Sequence, residues 1–244
     1  MWRRHEQQQP SGSGILVAHR AGAALTGGDP IAGLEKLAPT DVAMIEFDVR
    51  ATADRALVIS HDSVADGHVL AESRYEELVR RGSPPPLLED LLGMANGRFS
   101  LDVELKESGY EREVVEAVLR RVPKERVVFT SFQDSVIASI AGLGLDVGTG
   151  LIVGRFAGAR TPLVVLQDAL PLGRLRRCGA DFLVAHRRLL STGLLRRARA
   201  HGYGVAVWGV EAAPEVERLL AEPGVLGVIT DSPTLLRGVQ LLLD

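Results

Sequence analysis

The chain of 244 residues contains one cysteine, no large charge excess of either sign and no long apolar run, and each shortage excludes a class of protein. The lone Cys178 rules out an internal disulfide framework and suits a reducing compartment. Its place beside Gly179, near a helix end, reads as a structural thiol rather than a nucleophile. Lysine and arginine number 28 against 31 aspartate and glutamate, a net charge of −3, so no nucleic-acid partner is expected. The basic pairs Arg80-Arg81, Arg120-Arg121, Arg176-Arg177 and Arg196-Arg197 fall in helix-like stretches and read as solvated faces. No run approaches the roughly 18 apolar residues of a membrane helix, so no integral membrane segment is expected. Residues 1–13 carry arginines without the apolar core of roughly 7–15 residues that a secretory signal needs, and read as a disordered tail. Location is expected to be cytoplasmic. There is no internal linker rich in Pro, Gly or Ser, and no glycine-rich dinucleotide turn follows the first strand.

What is present is a regular alternation of strand-like and helix-like runs. Strands are expected at about 15–19, 43–49, 99–104, 127–131, 147–153, 181–185, 204–208 and 226–230. Helices are expected near 30–38, 87–95, 111–121, 133–142, 163–177, 191–201, 213–221 and 233–242. Strands that are apolar runs fit a parallel sheet covered on both faces. Eight such pairs spell a closed (β/α)₈ TIM barrel over 14–244, a fold that typically takes roughly 250 residues. A doubly wound open sheet is the competing architecture.

One segment breaks the rhythm. Too few residues lie between Asp48 and the run Ala56–Ser60 for a parallel crossover, which needs a dozen or more. Thr52–Arg55 therefore reads as a tight turn, with Ala56–Ser60 returning antiparallel and carrying His61 back to the level of Phe47-Asp48. Residues 64–86, rich in charge and ending in Pro84-Pro85-Pro86, read as an insertion after this hairpin, above the barrel mouth.

Chemistry-bearing side chains gather at the strand ends. His19-Arg20 follows Ile15–Ala18, Glu46 and Asp48 lie in the second strand, and His61-Asp62 ends the return strand. In a parallel barrel the C-terminal strand ends share one mouth, where such enzymes keep their chemistry. Two imidazoles can take and give protons, so His19 and His61 are the candidate acid/base pair. Glu46 and Asp48, spaced i, i+2, share one strand face, and Glu104 of the third strand completes a three-carboxylate oxygen site. Hard cations such as Mg²⁺ or Ca²⁺ take such ligands, whereas zinc prefers histidine and cysteine. Lys106 places a positive charge near a bound anion, or else neutralises Glu104. Trp208 ends a strand and either walls the pocket or packs in the core. Asp231 reads either as a salt-bridge partner across the mouth or, the preferred reading, as a cap for the last helix, and His186 as part of a solvated turn.

In order along the chain from His19 to Pro233, these pieces resemble the glycerophosphodiester phosphodiesterases, within the superfamily that includes the phosphatidylinositol-specific phospholipases C. The resemblance rests on Ala18-His19-Arg20, Ile45-Glu46-Phe47-Asp48-Val49, Thr52-x-Asp54, Val58-Ile59-Ser60-His61-Asp62 and Pro86-Leu87-Leu88-Glu89-Asp90. It continues through Val103-Glu104-Leu105-Lys106, Thr130-Ser131-Phe132, Val207-Trp208 and Ile229-Thr230-Asp231-Ser232-Pro233. It implies a barrel with a small insertion, a divalent cation on Glu46, Asp48 and Glu104, and His19 with His61 as acid and base. It further implies that Arg20 and the cation hold the phosphate of a small glycerophosphodiester, which is cleaved through a cyclic phosphate to glycerol 3-phosphate. Two positions depart from the family pattern. The stretch opening the first helix is Gly27-Gly28-Asp29-Pro30, in which Asp29 can cap the helix with Pro30 in its first turn, and the Trp-Thr pair near the seventh strand is Trp208-Gly209. The rival readings are a lysophospholipase D-like lipid diesterase, and a barrel that binds a phosphorylated ligand without turnover.

Overall fold

The computed structural model describes residue 2 and residues 14–236, apart from 41, 83, 96 and 155–170. Its strands are β1 (Ile15–Ala18), β2 (Met44–Ala51), β3 (Leu57–Ile59), β4 (Val64–Ala65), β5 (His68–Val69) and β6 (Ser100–Leu105). They continue as β7 (Val127–Ser131), β8 (Gly148–Val153), β9 (Phe182–His186), β10 (Val205–Trp208) and β11 (Val225–Thr230). The order around the sheet is β1-β11-β10-β9-β8-β7-β6-β2-β3. Strand β1 also pairs with β2, which closes eight parallel strands into a barrel. Helices at Pro30–Leu37, Leu88–Ala95, Glu111–Leu119, Asp134–Gly142, Leu172–Cys178, Leu194–Ala200 and Ala213–Leu220 lie between successive strands. No described helix is long and apolar enough to cross a membrane.

Most expected elements fall where the pattern put them. Strand β2 runs on to Ala51 because β3 pairs with its end, Val49 opposite Ile59 and Ala51 opposite Leu57. That pairing is antiparallel, as the short turn required. The stretch near 191–201 divides into a 3₁₀ turn (Arg187–Thr192) and a helix (Leu194–Ala200), with Gly193 in the left-handed region between them. Part of the helix expected at 163–177 and most of that at 233–242 lie outside the described residues. Pro233–Leu236 form a 3₁₀ turn. Asp29 caps the first helix, accepting from the amides of Ile31 (2.8 Å) and Ala32 (3.2 Å), with Pro30 in the first turn.

Parity divides each strand between two layers. Ile45, Phe47 and Val49 of β2, with Leu101, Val103 and Leu105 of β6, pack against the helices. Alternate positions point to the barrel axis. There Val17, Met44, Val128, Ile152, Phe182, Val184, Ala206 and Ile229 form a second apolar core. Burying a side chain such as Phe182 completely contributes about 1.5–3 kcal/mol. Gly150 makes its room: a Cβ there would stand 2.5 Å from the Phe182 ring. Trp2, the one described residue of the stretch 1–13, meets Phe182 edge-on, ring centroids 5.2 Å apart. Farther along β2 and β6 the axis-facing side chains Glu46, Asp48, Asp102 and Glu104 are acidic, and this quadrant of the interior becomes the site.

Beyond β3, the β4–β5 hairpin pairs Val64 with Val69, and a helix follows at Tyr75–Arg80. Leu70 and Leu78 pack on Val58. Ala53 donates to Ser73 O and the Tyr75 amide to Asp54 Oδ1, both at 3.0 Å, so this segment is fastened to the β2–β3 turn rather than inserted into the barrel.

Candidate active site

His19 comes at the point where β1 ends. The next three residues are in the left-handed region, Arg20 at φ 48°, Ala21 at 52° and Gly22 at 77°. For the two non-glycine residues this costs about 1–2 kcal/mol each, strain of the kind that well-packed functional sites retain. The turn directs the Arg20 amide onto Glu46 Oε2 at 2.9 Å. It also leaves the Arg20 guanidinium 40% exposed, with Nε 3.6 Å from Asp48 Oδ2.

Registers place Glu46 beside Asp102, and Asp48 beside Glu104. One oxygen each from Glu46, Asp48 and Glu104 lies within 4.8 Å of the others, and all three residues are buried. Three carboxylates so close in a dry interior repel one another. Burial, with Asp48 nearby, pushes Glu46 up to about 7. Burial likewise raises Glu104 to about 8 although Lys106 pulls it down, and raises Asp102 to about 7. Burial would raise Asp48 too, but the charge and hydrogen bond of Lys106 hold it below the usual range. Lys106 Nζ stands 2.6 Å from Asp48 Oδ1 and 2.7 Å from Glu104 Oε1, so its charge sits inside the cluster. Lys106 thus offsets one anion of the set. Glu46 Oε1 and Asp102 Oδ2 are buried without a hydrogen-bond donor among the described residues. A donor-free carboxylate oxygen in an all-oxygen group with excess negative charge suits a hard divalent cation.

The histidines flank this cluster and differ in environment. His19 Nε2 is 3.8 Å from Glu46 Oε2, and Nδ1 is 2.7 Å from Asp231 Oδ1. Burial alone would lower His19, but the Asp231 bond and the charges of Glu46 and Asp231 lift it to about 9. His61 is brought back by β3, whose last bond runs from the Ser60 amide to Asp48 O at 3.0 Å. Its Nδ1 is 2.8 Å from Asp62 Oδ1, and it is lowered by burial and by the charge of Lys106. One imidazole is therefore biased toward the charged form and the other toward the neutral form.

Of the two readings of Asp231, the preferred cap gives way to the contact across the mouth. Its carboxylate turns to His19 rather than to the start of a last helix, because β1 and β11 are paired neighbours, Ala18 opposite Thr230. Glu211, which sequence reasoning passed over, receives Thr230 Oγ1 (3.1 Å) and the Asp231 amide (3.2 Å) and so steadies that carboxylate. No local signal links residues 19, 211 and 231; only barrel closure does. Trp208 lies at the rim, its Nε1 donating to Val153 O at 3.2 Å and its ring meeting Phe132 and His186 edge-on. The glycine after it follows from this packing. Gly209 has φ 76°, and a Cβ there would stand 2.8 Å from His186 Nε2, so threonine would not fit. Cys178 is free and buried, away from this mouth.

An eight-stranded parallel barrel that gathers two histidines and a buried cluster of carboxylates at the C-terminal ends of its strands has its polar groups where barrel enzymes keep their chemistry. A sequence model of the Glycerophosphoryl diester phosphodiesterase family matches residues 19–235, and the chain belongs to that family. It is accordingly an enzyme of the phosphoric diester hydrolase class. A glycerophosphodiester phosphodiesterase of Caldanaerobacter subterraneus subsp. tengcongensis is 22% identical over 90% of this chain and 94% of its own length. Among solved structures, the glycerophosphodiester phosphodiesterase of Parabacteroides distasonis superposes with TM-score 0.74 at 23% identity, covering 93% of this chain and 97% of that one. A phosphodiesterase of Oleispira antarctica, solved with the product sn-glycerol-3-phosphate, gives TM-score 0.73 at 20% identity, over 92% and 96%. At these identities the structural likeness speaks for the fold.

Proposed function

We propose that this protein hydrolyses glycerophosphodiesters to an alcohol and sn-glycerol 3-phosphate, with a divalent cation on Glu46, Asp48 and Glu104 and with His19 and His61 as acid and base. The observation that carries this reading is the convergence of the three buried carboxylates, with His19 Nε2 3.8 Å from Glu46 Oε2. Mg²⁺ or Ca²⁺ bound there would supply a Lewis acid that offsets negative charge building on the phosphoryl oxygens. Arg20, held at the rim by Asp48, presents its guanidinium to the phosphate, with Lys106 beneath it. One histidine removes the proton of the glycerol 2-hydroxyl, whose oxygen attacks phosphorus. The other gives a proton to the departing alkoxide as its P–O bond breaks, leaving a cyclic phosphate. Water then opens the ring with the two roles reversed, giving glycerol 3-phosphate. Such general acid/base help is worth about 10²–10⁴-fold.

One observation favours a second reading, a lipid-carrying substrate such as a lysophospholipid. Val64, Val69 and Val79, all in the segment after the hairpin, are 44%, 39% and 48% exposed. The test is to incubate purified protein with Mg²⁺ or Ca²⁺ and, separately, glycerophosphocholine, glycerophosphoethanolamine and a lysophospholipid, following release of glycerol 3-phosphate or lysophosphatidate. Metal-dependent glycerol 3-phosphate from the first two is expected. Turnover confined to the lysophospholipid would favour the second reading, and no turnover of any would leave only a binding role.

A further inference from the structure

We propose that Arg50 is a positioning residue for His61, anchored in that task by Glu107 and Tyr110; the inference rests on the two-histidine reading above. Arg50 stands two positions beyond Asp48 on β2, so it shares the axis-facing parity of Glu46 and Asp48 at the strand end nearest the mouth. Its guanidinium does not reach open solvent: the side chain is 12% exposed. Nη2 donates to the backbone carbonyl of His61 at 2.8 Å, Nε to the same oxygen at 3.3 Å, and Nη1 is ion-paired with Glu107 Oε1. Glu107 is fixed in turn. Its amide donates to the Tyr110 hydroxyl at 3.0 Å, and that hydroxyl lies 2.9 Å from Val49 O and 3.2 Å from Glu107 Oε2. Tyr110 itself is 4% exposed. The loop after β6 is thereby tied to β2 directly behind Arg50.

His61 needs such a support. Strand β3 ends at Ile59, and the ladder to β2 stops with the Ser60 amide. The imidazole is 45% exposed, and its side-chain bond goes to Asp62, the adjacent residue, itself 80% exposed. A neighbour on the same exposed stretch, beyond the end of the ladder, does not by itself fix the pair relative to the barrel. The planar fork of Arg50 grips the His61 carbonyl from a buried strand and so sets where the imidazole stands above the carboxylates. Its donors are engaged by the protein and its charge is met by Glu107, which separates it from the more exposed Arg20. Misplacing a reacting group by about 1 Å costs on the order of 10²-fold.

The test is steady-state kinetics on glycerophosphocholine with saturating divalent cation, for Arg50→Met, Arg50→Lys, Glu107→Gln, His61→Ala and the double variant Arg50→Met/His61→Ala. Each is assayed below its own melting transition and normalised to folded protein. Arg50→Met is expected to lower kcat by about 10²-fold with KM within about threefold, because a general acid/base and not a binding group is displaced. Arg50→Lys should recover part of the loss, and Glu107→Gln should lower kcat in the same direction by less. In the His61→Ala background, Arg50→Met should change the residual kcat by less than about threefold, since no imidazole remains to be placed. A merely structural Arg50 would cost the same factor in both backgrounds, and that result would overturn the proposal. Wild-type kcat in Arg50→Met beside a crippled His61→Ala would also overturn it while leaving the two-histidine reading intact. Full turnover in His61→Ala would remove both. Should Arg50→Met not fold, Glu107→Gln with its double variant decides by the same criteria.

Discussion

His19 and His61 lie at strand ends, where truncation opens no cavity in either core. His19→Ala and His61→Ala are each expected to lower turnover by about 10²–10⁴-fold, with a melt close to that of the parent for His61→Ala and a lower one at neutral pH for His19→Ala, whose charged imidazole the fold favours. Glu46→Ala or Asp48→Ala should instead weaken cation binding, and added cation should restore part of the activity in the milder case. Activity over a metal titration separates the two patterns, and rescue of a histidine variant by metal would contradict the assignment. The Asp231 bond is checked independently. Because Asp231 raises His19 by hydrogen bond and by charge, Asp231→Asn should move the His19 titration down from about 9, as read by NMR of the imidazole in chelated protein. An unmoved titration would mean that the contact is not formed in solution. The positions of the histidines and of the three clustered carboxylates were legible in sequence because each is local: a polar residue at the end of an apolar run, or an i, i+2 pair on one face. Asp231 was legible only as one of two alternatives, and Glu211 and Arg50 were not legible, since the partners of the three lie 212, 19 and 11 positions away and meet only through barrel closure or the hairpin.

The hairpin β2–β3 and the first helix show how far short-range rules reach. The Thr52–Arg55 turn was legible because its length forbids a parallel crossover, and its details bear out the economy of the segment. Thr52 Oγ1 donates to Asp54 Oδ1 at 2.7 Å and the Arg55 amide to Thr52 O at 2.9 Å. Asp29 was readable as a cap because the pattern Asp-Pro before an apolar stretch is a start signal. Asp29→Ala should cost about 1 kcal/mol of stability, seen as a shifted denaturation midpoint, with kcat near that of the parent because its carboxylate accepts from the Ile31 and Ala32 amides at the start of the helix. A large loss of kcat would show that the first helix does more than support the Arg20 turn. The stretch near 191–201 was read as one helix because its apolar spacing is continuous across Gly193. The left-handed backbone at that glycine divides it, and periodicity alone does not register a single residue's φ.

The barrel as a whole carries its acids at a cost that depends on pH. Asp102, Glu46 and Glu104 titrate near 3.8, 4.5 and 4.5 when unperturbed, and near about 7, about 7 and about 8 in the folded metal-free protein. Raised carboxyl pKa values mean that the folded state holds protons the unfolded chain has already released, so stability falls as pH rises from about 4 to about 8. His19 acts in the same direction: its stabilisation is full below 6.5 and is lost as pH passes about 9. The chelated protein is therefore expected to melt at progressively lower temperature from pH 5 to pH 9. Bound cation should flatten the slope, because it replaces protons on the same oxygens. A flat or rising profile in chelator would contradict the burial of these groups. The central claim, that Glu46, Asp48 and Glu104 together hold the cation the reaction needs, is tested most directly by titrating Mg²⁺ and Ca²⁺ into metal-stripped protein calorimetrically while measuring glycerol 3-phosphate release over the same concentrations. The expected result is one site per chain whose occupancy tracks activity, and which Glu46→Gln and Glu104→Gln both weaken. Full activity in the stripped protein, or a site unaffected by both substitutions, would contradict it.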